Sequence, residues 1–160
     1  MSYNINIYNT RKHQDRHIKL VKESSYNYEN IGDGEFTLAN SPEKAAKIFE
    51  TVFEASELPQ EYVWLMTLDT SLRVIGLFEV TKGTLDSCIV HPREIFSRAL
   101  LSNAASITIA HNHPSGSLNF SKEDKELTKK IEEVGNIIGI RLVDHIVLAD
   151  GGYTSYREMV

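Results

Sequence analysis

A mixed α/β (α+β) fold, with a central mixed sheet flanked by helices, is what the sequence predicts on three observations. Helix starts are written at Ser41-Pro42-Glu43, Pro92-Arg93-Glu94 and Ser121-Lys122-Glu123-Asp124. Runs of β-branched, apolar and aromatic residues separate them, as strands would. Two of those runs, Glu61–Asp69 and Leu72–Phe78, are joined by Thr70-Ser71 alone, which reads as a hairpin. Helices and strands that alternate irregularly, with hairpins among them, make a layered mixed sandwich the expected architecture.

Residues 1–40 are polar and poorly periodic and are read as an N-terminal extension to a folded domain over 41–160. Ile5 and Ile7 predict one short strand there, and Ile18, Leu20 and Val21 another. Lys12, Arg16, Lys19 and Lys22, with His13 and His17, make the segment mildly basic. A solvated arm or edge ribbon accounts for that pattern better than a nucleic-acid contact does. Gly32-Asp33-Gly34 is turn punctuation without the spacing of a phosphate loop.

The next helix starts on Ser41 as N-cap and Pro42 in its first turn. It carries Ala45, Ile48, Phe49, Val52 and Phe53 at helical spacing, and Pro59 ends the segment. The hairpin follows, then a turn at Gly83 and a third strand over Leu85 to Val90. The helix opened by Pro92 bears Ile95, Phe96, Ala99 and Leu100. Ala105 to Ala110 are small, β-branched or apolar, as in a buried strand. The helix after Ser121 shows a stripe of Leu127, Ile131, Val134 and Ile138. Ile140 to Val143 and His145 to Leu148 predict a last strand region bent around Asp144. Gly151-Gly152 closes it, and Tyr153 to Val160 reads as a short tail.

Totals narrow the function classes. At 160 residues and 18.1 kDa the chain is expected to bury roughly 70% of its unfolded surface, so it needs no staples. A formal charge of −5 and a pI near 5.7 argue against a broad nucleic-acid-binding face. Cys88 is the single cysteine, which excludes a disulfide framework and a CxxC zinc site. No run reaches the length of a membrane span, and Met1-Ser2-Tyr3-Asn4 opens no signal peptide. The expected address is cytoplasmic.

Chemistry concentrates in Ala110-His111-Asn112-His113-Pro114-Ser115-Gly116. Alternate side chains of a strand share a face, so His111 and His113 converge where the strand gives way to a loop. Pro114 and Gly116 end that strand in a turn. Thirteen residues after His111 comes Asp124, on the inward face of the helix capped by Ser121. An unpaired carboxylate aimed at a core costs several kcal/mol, so a cation must meet it or it stays near water. Two imidazoles and a carboxylate suit Zn²⁺, one ion per chain, with a fourth position left to water. Other HxH chemistries fail on what the chain lacks. An amidohydrolase barrel needs about 250 residues, and a zinc deaminase needs a PCxxC pair. The HxHxDH pattern has Ser115 and Gly116 where Asp and His should stand, and no HExxH occurs.

These residues carry a resemblance. HNHPSG with Ser121 and Asp124 resembles the JAMM metal motif of the JAB/MPN metalloprotease fold, which is cytidine-deaminase-like. The wider text resembles its RadC-like branch: Gly83-Thr84-Leu85, His91-Pro92-Arg93-Glu94-Ile95-Phe96, Arg98-Ala99-Leu100 and Asp144-His145-Ile146-Val147, over about residues 42 to 158. A short form, without the N-terminal helix-hairpin-helix part of longer RadC proteins, is the expectation. The resemblance implies zinc ligands at His111, His113 and Asp124. It also implies an oxyanion or water contact from Ser121 and a general base in Glu61. Hydrolysis of a peptide or isopeptide bond is the reaction implied. A non-catalytic or accessory module associated with DNA repair is the alternative. The partner expected is a peptide or isopeptide substrate, without direct nucleic-acid or membrane contact, and a homodimer is left open.

Each role has a plainer rival. Ser121 is a helix cap whether or not it is catalytic. Glu79 and Glu94 compete with Glu61, which would also serve as a solvated strand end. Asn112 points away from its histidine neighbours and is read as holding loop backbone. Ser115 and Gly116 shape the turn, Gly116 by permitting a positive φ. His145 and His91 are read as satisfied structural histidines, and Trp64 and the tyrosines as packing.

Overall fold

The computed structural model describes residues 3–12, 18–28, 37–83 and 90–160. The Gly32-Asp33-Gly34 turn, the strand expected over Leu85 to Val90 with Cys88, and His13, Arg16 and His17 therefore lie outside the described residues, Val90 excepted. Strands β1 (Tyr3–Lys12) and β2 (Ile18–Tyr28) come first, then helix α1 (Pro42–Phe53) and the hairpin β3 (Tyr62–Leu68) and β4 (Val74–Lys82). Helix α2 (Pro92–Leu101), strand β5 (Ser106–Asn112), helix α3 (Lys122–Ile138), strands β6 (Arg141–Ala149) and β7 (Gly152–Ser155) and helix α4 (Tyr156–Met159) complete the chain. Among the described residues the strands form one mixed sheet, ordered β2-β1-β4-β3-β5-β6-β7. The pairs β1–β4 and β5–β6 are parallel and the rest antiparallel.

The two faces of the sheet have separate cores, and the side chains of β3 show why. Trp64, Met66 and Leu68 join Ala45, Ile48 and Phe49 of α1 on one face. Val63 and Leu65 join Ile95 and Phe96 of α2 and Ile131 of α3 on the other. A strand covered on both sides is buried along its length, which describes β5 throughout and β3 beyond Tyr62. The first forty residues supply β1 and β2 to this same sheet, and Ile5 is buried in the core under α1.

Local chemistry sets most element ends. Ser41 Oγ accepts from Lys44 N at 3.2 Å, and Pro42 fills the first helical position. Helix α1 stops at Phe53, ahead of the expected Pro59, because Glu54 turns left-handed at φ 51° and a 3₁₀ turn over Ala55–Glu57 follows. Strand β4 begins at Val74 and not at Leu72. Asp69 Oδ1 accepts from both Ser71 N and Arg73 N, which holds Leu72 in the connecting loop at φ 62°. His91 caps α2 by accepting from Arg93 N at 3.2 Å, the structural role expected of it.

Three expectations need correction. In α2, Leu100 is exposed and Arg98 is buried instead, its guanidinium donating to the Glu94 carbonyl and carboxylate. In α3 the inner row is Asp124, Thr128, Ile131 and Gly135, while Leu127 and Val134 flank it and Ile138 is exposed. Gly135 lets the chain leaving this helix fold back against it, since a Cβ there would clash with the Ile140 carbonyl oxygen. The segment from Tyr153 is no tail, for β7 pairs with β6 and Tyr156 of α4 is buried.

Candidate metal centre

Neighbouring residues at the end of β5 face opposite sides of the sheet, and that parity divides their work. His111 shares the face of Ile107 and Ile109, under α3. Asn112 faces the other way, towards the start of β3. His113 lies just past the strand, its N–H donating to the Leu148 carbonyl at 3.0 Å. The chain then turns, with Gly116 N donating to the His113 carbonyl at 3.0 Å and Gly116 at φ 82°. A side chain at that position would also meet the Asp150 carboxylate, so glycine suits it twice over. The turn returns the Ser117 carbonyl to within 2.8 Å of His113 Nδ1, which fixes that ring.

Helix α3 brings the carboxylate. Ser121 Oγ accepts from Asp124 N at 3.0 Å, and Asp124 Oδ2 accepts from Ser121 N at 2.7 Å, a complete capping box. Asp124 Oδ1 then lies 3.2 Å from His111 Nε2, and Oδ2 lies 3.5 Å from His113 Nε2. The two Nε2 atoms are 3.0 Å apart. His111 is buried, while His113 and Asp124 keep a partial opening to solvent. Phe120 closes one side, its ring edge-on to His111 at 6.2 Å and to His145 at 5.1 Å.

His111, His113 and Asp124 thus form a cluster that could hold a metal ion. The donor set fits one. His113 Nδ1 faces a carbonyl, which only accepts, so its hydrogen is there and Nε2 offers a lone pair in the neutral ring. Two imidazole nitrogens and a carboxylate oxygen packed this closely repel one another unless a cation lies among them.

Charge follows the same logic. Burial opposes ionisation of Asp124, but the adjacent His111 and His113 imidazoles and Ser121 hold its carboxyl well below the usual carboxylate range. The hydrogen bond to Asp124 raises the His113 pKa above 6.5 against the cost of burial. Ser117 and the charges of Asp124 and Glu61 add to the rise.

Glu61 enters this field from the start of β3. Asn112 grips the backbone on either side of it: Oδ1 accepts from Tyr62 N at 2.7 Å, and Nδ2 donates to the Gln60 carbonyl at 2.9 Å. Asn112 therefore holds backbone, as its direction along β5 predicts. Of the rival carboxylates, Glu94 is engaged by Arg98 and Arg93, and Glu79 is exposed on β4. Neither contributes to the electrostatics of His113 as Glu61 does.

Thr128 is the residue that sequence reasoning missed, and His145, read as a satisfied structural histidine, is found satisfied beside it. His145 is satisfied at both ring nitrogens, but one partner is His111 Nδ1 at 2.8 Å and the other Thr128 Oγ1 at 2.7 Å. It stands directly behind a member of the cluster. A β-bulge puts it there. Ile107 pairs with Leu142 but Thr108 pairs with Asp144, so Val143 is the extra residue and both Val143 and Asp144 face the α1 side. The bulge reverses the alternation of β6 and turns His145 towards α3. Its burial holds the ring well below the ordinary histidine pKa. Asp144, the expected bend, fastens the bulge by accepting from Ser155 Oγ, His145 N and Arg157 N.

A helix-flanked mixed sheet with two histidines at the exit of a central strand and an aspartate in the next helix defines a domain of the JAB/MPN type. The family model for the RadC-like JAB domain matches residues 39–160, and the chain belongs to that family. A UPF0758 protein of Clostridium beijerinckii is 49% identical over 105 residues, which cover 66% of this chain and 46% of that protein. One of Thermotoga maritima is 40% identical over 124 residues, covering 76% and 56%. One of Clostridium tetani is 40% identical over 142 residues, covering 88% and 61%. The chain thus spans about half to three-fifths of the length of these relatives. No helix among the described residues is long and apolar enough to cross a membrane.

Proposed function

We propose that this chain is a zinc-dependent hydrolase of peptide or isopeptide bonds. One observation carries the reading: two imidazole nitrogens and a carboxylate converge at 3.0 to 3.5 Å with one side open to solvent. Structural zinc sites are closed by four protein ligands, whereas three leave a position for chemistry. Bound there, zinc would supply Lewis acidity that lowers the pKa of water from ~15.7 to roughly 7.

The chain's own residues supply the rest. Glu61, held by Asn112 near His113, takes a proton from the attacking water and returns it to the leaving nitrogen. The Ser121 hydroxyl donates to the carbonyl oxygen as negative charge develops there. Its oxygen meanwhile keeps accepting from Asp124 N, so one side chain caps the helix and serves the reaction.

Glu61→Gln tests the assignment, because it keeps the shape and removes the base. The variant is expected to hold the same metal content and to lose hydrolysis of a peptide or isopeptide substrate by about 10²- to 10⁴-fold. Undiminished turnover would contradict the role of Glu61.

A further inference from the structure

We propose that Thr128 and His145 are positioning residues that dictate which nitrogen of His111 faces a metal ion. The inference rests on the metal-site reading above, and its evidence is an inventory of hydrogens. The Thr128 hydroxyl has one hydrogen and lies 2.7 Å from two atoms, the Asp124 carbonyl oxygen and His145 Nδ1. A carbonyl oxygen can only accept. The hydroxyl therefore donates to Asp124 and accepts from His145, whose ring hydrogen must sit on Nδ1.

The consequence passes through the ring. His145 is wholly buried and, among the described residues, no carboxylate oxygen contacts its imidazole, so the ring is neutral and its Nε2 is bare. His111 Nδ1, 2.8 Å away, has to be the donor in that contact. The neutral His111 then presents Nε2 as a lone pair, the nitrogen already 3.2 Å from Asp124 Oδ1. The chain of hydrogen bonds begins at the Asp124 carbonyl and ends at His111, whose bare nitrogen faces the carboxylate of the same Asp124. One helical turn of α3 thus supplies both a ligand and the anchor that sets the tautomer of a second. With the opposite polarity, Thr128 would donate to His145 and His145 to His111. His111 Nε2 would then carry the hydrogen and could not coordinate.

The bulge after Leu142 gives this relay its geometry, since in a regular ladder with Val143 opposite Thr108 His145 would face α1. Metal-bound histidines generally give their second ring hydrogen to an acceptor that orients them. Here the acceptor is another imidazole, whose own state is imposed by a hydroxyl.

Two measurements test the relay. Ring ¹⁵N spectra of the wild type should show His145 as the Nδ1–H tautomer, both metal-free and after Zn²⁺ is added. An Nε2–H tautomer overturns the inference. Titration of Zn²⁺ should find Thr128→Val weaker by about 10- to 100-fold and Thr128→Ser within a few-fold of wild type. A wild type that takes up no Zn²⁺ overturns the metal-site reading. A wild type that binds Zn²⁺, with Thr128→Val its equal, overturns the relay alone.

Discussion

Asn112 Oδ1 accepts a hydrogen bond from Tyr62 N at 2.7 Å, across fifty residues of sequence. The last residue of β5 thereby grips the first residue of β3, and Glu61 is held between that bond and the one to the Gln60 carbonyl. Truncating both contacts with Asn112→Leu leaves a buried donor and an acceptor unpaired. The expected cost is about 2–4 kcal/mol, read from the urea midpoint. Metal content should persist while hydrolysis falls, because the backbone carrying Glu61 is released. Unchanged stability would contradict the clamp.

The pH response has a definite sign. His113 has its pKa raised above 6.5 in the fold, chiefly by Asp124, so its contribution to stability is full below that value. It is lost as pH rises through the raised pKa. Asp124 is held below its ordinary 3.8, so its contribution is full above 3.8 and is lost as pH falls towards the lowered value. Metal-free protein should therefore be most stable between those limits, and its melting temperature should decline on going to alkaline pH. Zinc reverses the trend, because it needs His113 deprotonated and is shed as pH falls from above 6.5. Melting curves at several pH values with chelator and with Zn²⁺ check both arms, and parallel curves would contradict them.

Ser121 has two jobs that substitution can separate. Ser121→Ala removes the acceptor for Asp124 N and should cost about 1 kcal/mol of stability. It should also slow hydrolysis by about 10²- to 10³-fold as a lost oxyanion donor. Ser121→Asn restores a capping acceptor, so stability should recover while turnover does not. Recovery of both would reduce Ser121 to a cap.

The parts of this molecule governed by local chemistry were legible in sequence. Ser41-Pro42 and the Ser121–Asp124 capping box specify their helix starts with side chains two or three positions apart. The alternation of β5 puts His111 and Asn112 on opposite faces without help from the rest of the chain. What stayed hidden depends on register between distant strands. The bend expected at Asp144 marks the place but not the register, and it is the bulge there that decides whether His145 faces the cluster or the opposite core. The inner row of α3 was misread for a related reason. Thr128 and Gly135 look unsuited to a core, and their burial follows from His145 and from the Ile140 carbonyl. Leu100 and Ile138 show the converse, apolar residues left at the surface by the packing of their helices.

The central claim is that His111, His113 and Asp124 hold one ion. Elemental analysis of purified protein tests it most directly, with the wild type set beside His113→Ala. About one zinc per chain in the wild type, and little in the variant, is the predicted result. Equal metal content in the two proteins, or none in either after Zn²⁺ is supplied, would contradict it.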